Sequence, residues 1–294
     1  MPTKAPARSL AQALVLLIVL LGTATQADDS SRLFHRVDGP DGGPPCWLLG
    51  TIHASDPRVL ALPPPVMQAF DAAQVFVLEA VLDSEATAQM MAAMRFEDGR
   101  TLDAALPRQL YQATVEALAE QGLPEAAARG LKPWAAMIIL SLPQGPPGPV
   151  LDMQLLAEAS AAGKAVVGLE QPEEQLAIFD QLSVDEQRLM LEQALAGRAS
   201  RDERYDALVA AYLNGDLGAL EALKEDELGD LPPALIERFH ALAIDMRNER
   251  MIARLQPLLR QGDCFIAVGA LHFPGETGLL QGLTELGYQL SPVH

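Results

Sequence analysis

Four short runs are apolar at nearly every position and lack polar alternation: residues 46–52, 75–78, 164–169 and 264–269. Such runs fit strands covered on both faces, as in a parallel sheet, better than half-exposed strands. Residues 33–37 read as a further short strand, set off by the turn Asp38-Gly39-Pro40-Asp41-Gly42-Gly43-Pro44-Pro45. Pro63-Pro64-Pro65 opens a helix that carries Val66, Ala69 and Phe70, since proline is favoured in a first helical turn. Strand, helix and strand over 46–79 make a βαβ unit. Residues 86–162 and 173–260 are rich in Ala, Leu and Met and predict helices. They are broken at Asp98-Gly99, Gly122, a Pro/Gly-rich stretch at 143–149, Asn214-Gly215-Asp216 and Pro232-Pro233. A helix over 275–286 and an edge strand at 288–290 close the chain. The predicted fold is α/β: a central, mainly parallel sheet with helices on both faces and a large helical insertion, roughly 86–162 and 173–260, in one domain over 28–294. An echo between Leu49-Gly50-Thr51-Ile52-His53 and Val268-Gly269-Ala270-Leu271-His272 suggests two pseudo-repeated halves.

Residues 1–27 change the expected compartment. Lys4 and Arg8 precede an apolar stretch over 10–21, followed by Gly22-Thr23-Ala24-Thr25-Gln26-Ala27, with Thr25 and Ala27 at −3 and −1. This is the pattern of a cleaved signal peptide, and the stretch falls short of the roughly 20 residues of a membrane span. The chain is therefore expected to be exported, periplasmic or secreted, and not stably inserted in a membrane after cleavage. The full chain carries −18, and loss of Lys4 and Arg8 takes the mature chain to −20. That charge argues against nucleic acid or an anionic membrane as partner, because both require basic residues to neutralise phosphate. The two cysteines, Cys46 and Cys264, are too few for a disulfide framework. If their strands are neighbours, both lie at the end of the sheet away from the histidines. Whether they bridge depends on a Cα separation that sequence does not give.

The four buried runs share a feature that bears on chemistry: each leads into a polar group, namely His53, Glu79, Glu170 and His272. Ligands of parallel sheets bind at the carboxyl ends of strands, so chain direction alone puts these four on one rim. Gly50 and Gly269 each lie three residues before a histidine, where glycine permits a tight turn or a close backbone approach. The bland alternative is a pair of hydrogen-bonded structural histidines at a sheet edge. His35, His240 and His294 have no comparable context.

Gly50-Thr51-Ile52-His53, Leu62-Pro63, Val66 and Leu78-Glu79 resemble the opening motif of the TraB/GumN family, related to the Tiki metalloproteases. The resemblance continues through Lys132-Pro133-Trp134, Leu151-Asp152, Gly168-Leu169-Glu170, Arg247-Asn248, Val268-Gly269-Ala270-Leu271-His272 and Gly287-Tyr288. It implies an active site at His53, Glu79 and His272, with Arg247 and Asn248, and a divalent metal such as Mn, Co or Zn. Leu271 and Phe273 depart from the family's usual neighbours of the second histidine, which bears on pocket shape. Two imidazoles and a carboxylate are a common catalytic ligand set that leaves a position open for water. On that reading His53, Glu79 and His272 are ligands. Glu170 is the general base or holds an imidazole, and Arg247 clamps a carboxylate or an oxyanion. Pattern alone offers blander roles: Glu170 as the cap of the next helix, and Arg247-Asn248 as part of a solvated, charged helical face. The functional expectation is an exported metal-dependent peptidase acting on a peptide or protein. The alternative is a non-catalytic periplasmic protein that sequesters a peptide, a metal or haem.

Overall fold

The computed structural model describes residues 33–142 and 148–293. The expected signal peptide, most of the Pro/Gly-rich stretch at 143–149 and His294 lie outside them. Six strands form one sheet: β1 (Phe34–Asp38), β2 (Cys46–Thr51), β3 (Val75–Ala80), β4 (Ala165–Glu170), β5 (Cys264–Gly269) and β6 (Gln289–Pro292), in the order β4-β3-β5-β2-β1-β6. The first four in that order are mutually parallel. On the other side, β1 is antiparallel to both β2 and β6. The fold is thus α/β, with a mostly parallel sheet and helices around it.

Burial follows position in the sheet. All six residues of β5 are buried, because β3 and β2 flank it and helices cover its faces. β4 departs from the sequence expectation of a buried strand: Ala165 is exposed and Val166, Val167 and Gly168 are half-buried. It is an edge strand, and only Leu169 and Glu170 reach under neighbouring helices. The helix Pro64–Ala72 turns Phe70 onto the sheet, edge-on to Phe265 at 5.3 Å and Phe76 at 5.6 Å. The echo between the two Gly-x-x-His segments amounts to a pairing of β2 with β5, offset so that Thr51 faces Gly269. The order of elements does not otherwise repeat.

The helical stretches divide between two cores. Leu151, Leu155, Tyr212, Met251 and Leu255 pack with the sheet. A second cluster, built from Met137, Trp134, Phe179, Met190, Leu228 and Phe239, has no strand in it. Trp134 is fully buried there, stacked on Phe179 with its indole N–H donated to Asp180 at 2.9 Å. No helix among the described residues is long and apolar enough to cross a membrane.

Cys46 and Cys264 open the paired strands β2 and β5 and are joined by a disulfide with a Cα–Cα separation of 4.7 Å. It closes a loop with a sequence separation of 218. A cross-link over so long a loop restricts the unfolded chain most, by about 5 kcal/mol in the chain-entropy account. Cys46→Ser/Cys264→Ser is expected to lower the urea unfolding free energy by about that amount. The oxidised wild type should take up no thiol label when denatured without reductant. Full labelling, or equal stability of the two forms, contradicts the bridge.

Candidate functional site

The parallel strands point their carboxyl ends to one rim, and the side chains singled out in the sequence gather there. Glu79 lies near the end of β3 and Glu170 ends β4. His53 follows β2 by two residues, and His272 sits in the 3₁₀ turn Ala270–His272 directly after β5. That turn lies hard against β2: a Cβ on Gly50 would meet Ala270 Cα and Cβ at 3.2 Å each. Gly269 has a different task, donating its backbone N–H to Glu79 Oε1 at 2.7 Å.

The helix α1 (Met246–Gln261) crosses this rim, preceded by a π-helical turn at Ala241–Asp245. Such wide turns recur at functional sites, where they re-aim the residues that follow. Arg247 and Asn248 are fully buried although their neighbours Met246 and Glu249 are exposed. A solvated face is therefore excluded for both. The Arg247 guanidinium joins three groups from three different strand ends. It donates through Nη2 to Glu79 Oε2 at 2.6 Å, and through Nε and Nη2 to Glu170 Oε2 at 2.8 and 2.6 Å. Its Nη1 lies 3.0 Å from His272 Nε2. Glu170 also accepts from Arg250 at 2.8 Å, and Gln175 donates to both carboxylates at 3.3 Å. Glu170 is not a helix cap: Gln171 takes that position, its N–H donated to Glu174.

Hydrogen-bond logic fixes the His272 ring. Asn248 Nδ2 donates to two backbone carbonyls, of His272 at 3.3 Å and Thr277 at 2.9 Å, so its Oδ1 is an acceptor. His272 Nδ1, 2.6 Å from that oxygen, must carry the proton, and Nε2 accepts from Arg247. Burial, reinforced by the Arg247 charge, lowers the His272 pKa to about 3, so the ring is neutral. His53 is held differently. Its Nδ1 lies 2.9 Å from Asp152 Oδ2, whose other oxygen accepts from Thr51 at 2.7 Å. Burial alone pushes His53 down, but the Asp152 carboxylate, with help from Glu79, outweighs it and leaves the pKa raised. For Glu79, burial acts to raise the pKa, yet the Arg247 charge and the nearby rings bring it down to about 2. His53 also lines a cavity of about 190 Å³ beside the rim.

Asp152, Thr51 and Gln175 were not assigned roles from the sequence. The only signal for Asp152 was its place in Leu151-Asp152; it lies in the first turn of the helix Leu151–Ala161, which brings it beneath His53.

Two imidazoles and a carboxylate are the right donor types for a divalent ion. Each ring has its Nδ1 engaged by a fixed acceptor, the arrangement that orients metal-binding histidines. Glu79 Oε1 stands 4.0 Å from His272 Nε2. Arg247, however, holds His272 Nε2 and Glu79 Oε2 itself. Among the described residues no three His, Cys, Asp or Glu side chains are grouped to hold an ion directly.

Comparison with known proteins bears on this arrangement. The profile described as the TraB/PrgY/gumN family matches residues 33–292. The chain is 27% identical over 321 aligned residues to metalloprotease TIKI2 of Danio rerio, covering 90% of this chain and 61% of that protein. It is 26% identical over 306 residues to a metalloprotease TIKI homolog of Nematostella vectensis, covering 85% and 65%. The chain thus spans a little under two thirds of the length of these relatives.

The titrating groups predict a stability optimum. His272, lowered from 6.5 to about 3, contributes fully above pH 6.5 and loses its contribution as pH falls towards 3. His35, buried on β1 and lowered from 6.5 to about 4, acts in the same sense. Glu79, lowered from 4.5 to about 2, adds its own loss below 4.5. His53, raised above 6.5, contributes below that pH and loses its contribution as pH rises through its folded value. Urea unfolding is therefore expected to show greatest stability near pH 6.5, with a steep acid side. A flat profile from pH 4 to 8 contradicts this account of the site.

Proposed function

The chain belongs to the TraB/PrgY/gumN family, and from that premise we propose that it is an exported metal-dependent hydrolase, a peptidase. The observation that carries the reading is the pair of imidazoles at the ends of adjacent parallel strands, each with Nδ1 held by a fixed acceptor and both in the company of Glu79. The names of the two relatives supply the reaction class. Export is supported by the basic and apolar pattern of residues 1–27 and by the disulfide, which persists in oxidising compartments.

In this proposal His53, His272 and Glu79 hold a divalent ion. Held there, such an ion would supply an activated water at neutral pH and polarise the scissile carbonyl. The remaining roles fall to residues around these three. Asp152, braced by Thr51, fixes the orientation of His53 and raises its basicity. Asn248 fixes His272 in the Nδ1–H form, so its lone pair is on Nε2. Glu170 accepts from Nε and Nη2 of Arg247 and is steadied by Arg250, so the guanidinium stays paired if His272 and Glu79 turn to an ion. Arg247 then offers a full positive charge, in a site removed from water, to a carboxylate or a developing oxyanion. The substrate is a peptide or protein segment that reaches His53 through the adjoining cavity.

A second reading is favoured by one contact, the 3.0 Å approach of Arg247 Nη1 to His272 Nε2. If the guanidinium keeps that place, the site has its cation already, and the protein sequesters a peptide without turnover.

Calorimetric titration of the mature protein with Mn²⁺, Co²⁺ and Zn²⁺ separates the two. The proposal predicts stoichiometric binding, lost in His53→Ala/His272→Ala with helix content preserved, together with metal-dependent cleavage in a peptide library. Binding without cleavage favours the sequestering protein. Absence of both metal binding and cleavage means that the histidines are structural.

A further inference from the structure

The cavity beside His53 lies where the two cores meet. Its wall combines Leu220 and Leu271 of the sheet core with Met137, Met190, Leu228 and Phe239 of the second cluster. Pockets form preferentially at such junctions. Its volume of about 190 Å³ somewhat exceeds the about 150 Å³ of an apolar cavity that takes up benzene. It therefore suits one large apolar side chain and not a whole folded segment.

Its polar lining is unexpected for this protein. The chain carries −18, yet the cavity gathers four cations, Arg198, Arg201, Arg204 and Lys224, against two carboxylates, Asp226 and Glu227. The cations sit on two successive helical segments, Gly197–Leu213 and Leu217–Leu228. Arg204 is the most telling. Its Nη1 donates to Ser200 Oγ and its Nη2 to the Gly197 carbonyl, both at 2.6 Å. Neutral oxygens thus fix the fork, and among the described residues no carboxylate lies within ion-pair distance of it. Arg198, by contrast, is paired with Glu120 at 2.5 Å. Burial pushes the pKa of Glu227, which couples electrostatically to Arg204, upwards, and this weakens its hold on the Arg204 charge. A guanidinium held in place by neutral groups is prepared for an incoming carboxylate, which it can bind in a bidentate manner.

We propose that this cavity is the specificity pocket. It seats one bulky apolar side chain of a peptide whose adjoining bond is presented to His53, and Arg204 receives a carboxylate carried next to that side chain. The assignment rests on the hydrolase reading for the cleaved bond, but binding in the pocket does not need turnover. The carboxylate has two possible sources, a free C-terminus or an Asp or Glu side chain.

The test is fluorescence-anisotropy binding to the full mature protein of pentapeptides labelled at the amino end. One ends in Leu-Phe as the free acid and a second is its C-terminal amide. A third is the amide with Asp before Leu-Phe, and a fourth is a free acid ending in Ser-Gly. The free Leu-Phe acid is expected to bind at least about tenfold more tightly than the amide, the order of a single charge-assisted contact. Recovery of affinity by the Asp peptide assigns the contact to a side-chain carboxylate, and no recovery assigns it to the C-terminus. Arg204→Gln should erase the acid-over-amide preference and Arg204→Lys should keep part of it. Leu223→Trp, which narrows the cavity, should weaken every Leu-Phe peptide. The wild-type comparison of acid, amide and Asp peptides stands even if a variant fails to fold. Equal affinity for all three, or for Leu-Phe and Ser-Gly peptides, overturns the assignment. Binding of the expected pattern with no peptide cleaved ends the hydrolase reading alone. Cleavage indifferent to both carboxylate and apolar residue ends the pocket assignment alone.

Discussion

Arg247 carries a full positive charge with no solvent contact, and two carboxylates and an imidazole from three strand ends depend on it. An isolated buried carboxylate costs so much that it would normally take up a proton. Glu79 instead stays ionised, because Arg247 and the Gly269 N–H stabilise its charged form. Breaking such a buried pair by removing one partner typically costs about 3–5 kcal/mol, whereas the intact pair adds little net stability. Its value here is geometric. It ties β3, β4 and the turn after β5 to α1, and it sets His272 in one tautomer through the paired action of Asn248.

The two histidines are consequently unlike. His272 is enclosed, neutral and bonded at both ring nitrogens. His53 is braced on one side by Asp152 and faces the cavity on the other. This asymmetry leaves only His53 facing the cavity, whose wall is built by helices of the second core and by the segment Gly197–Leu228. In the proposed function the sheet supplies the chemistry, and the helices between β4 and β5 supply the surroundings that choose a substrate.

Much of this frame was legible in the sequence. Continuous apolar runs ending in His53, Glu79, Glu170 and His272 mark parallel strands, and chain direction alone puts their ends on one rim. Other features were not legible, for physical reasons. β4 is as continuously apolar as β3, but its exposure depends on which strand lies at the edge of the sheet. Arg247 and Asn248 occur in a run of charges that reads as a solvated face. Their burial depends on partners 77 and 168 residues away for Arg247, and 24 away for Asn248. Asp152 was visible only as part of a motif, because its contact with His53 bridges 99 residues. The cationic pocket wall was hidden by a strongly negative total, which says nothing about where positive charges gather.

Arg247 and Asn248 lock His272, while Asp152 leaves His53 free to change its state. ¹⁵N NMR of the histidine side chains, recorded from pH 8 to pH 5 on the metal-free mature protein, tests it most directly. His272 is expected to stay neutral with its proton on Nδ1 throughout, and His53 to take up a proton above pH 6.5. Protonation of His272 within that range, or a proton on its Nε2, would contradict the arrangement on which the whole site is built.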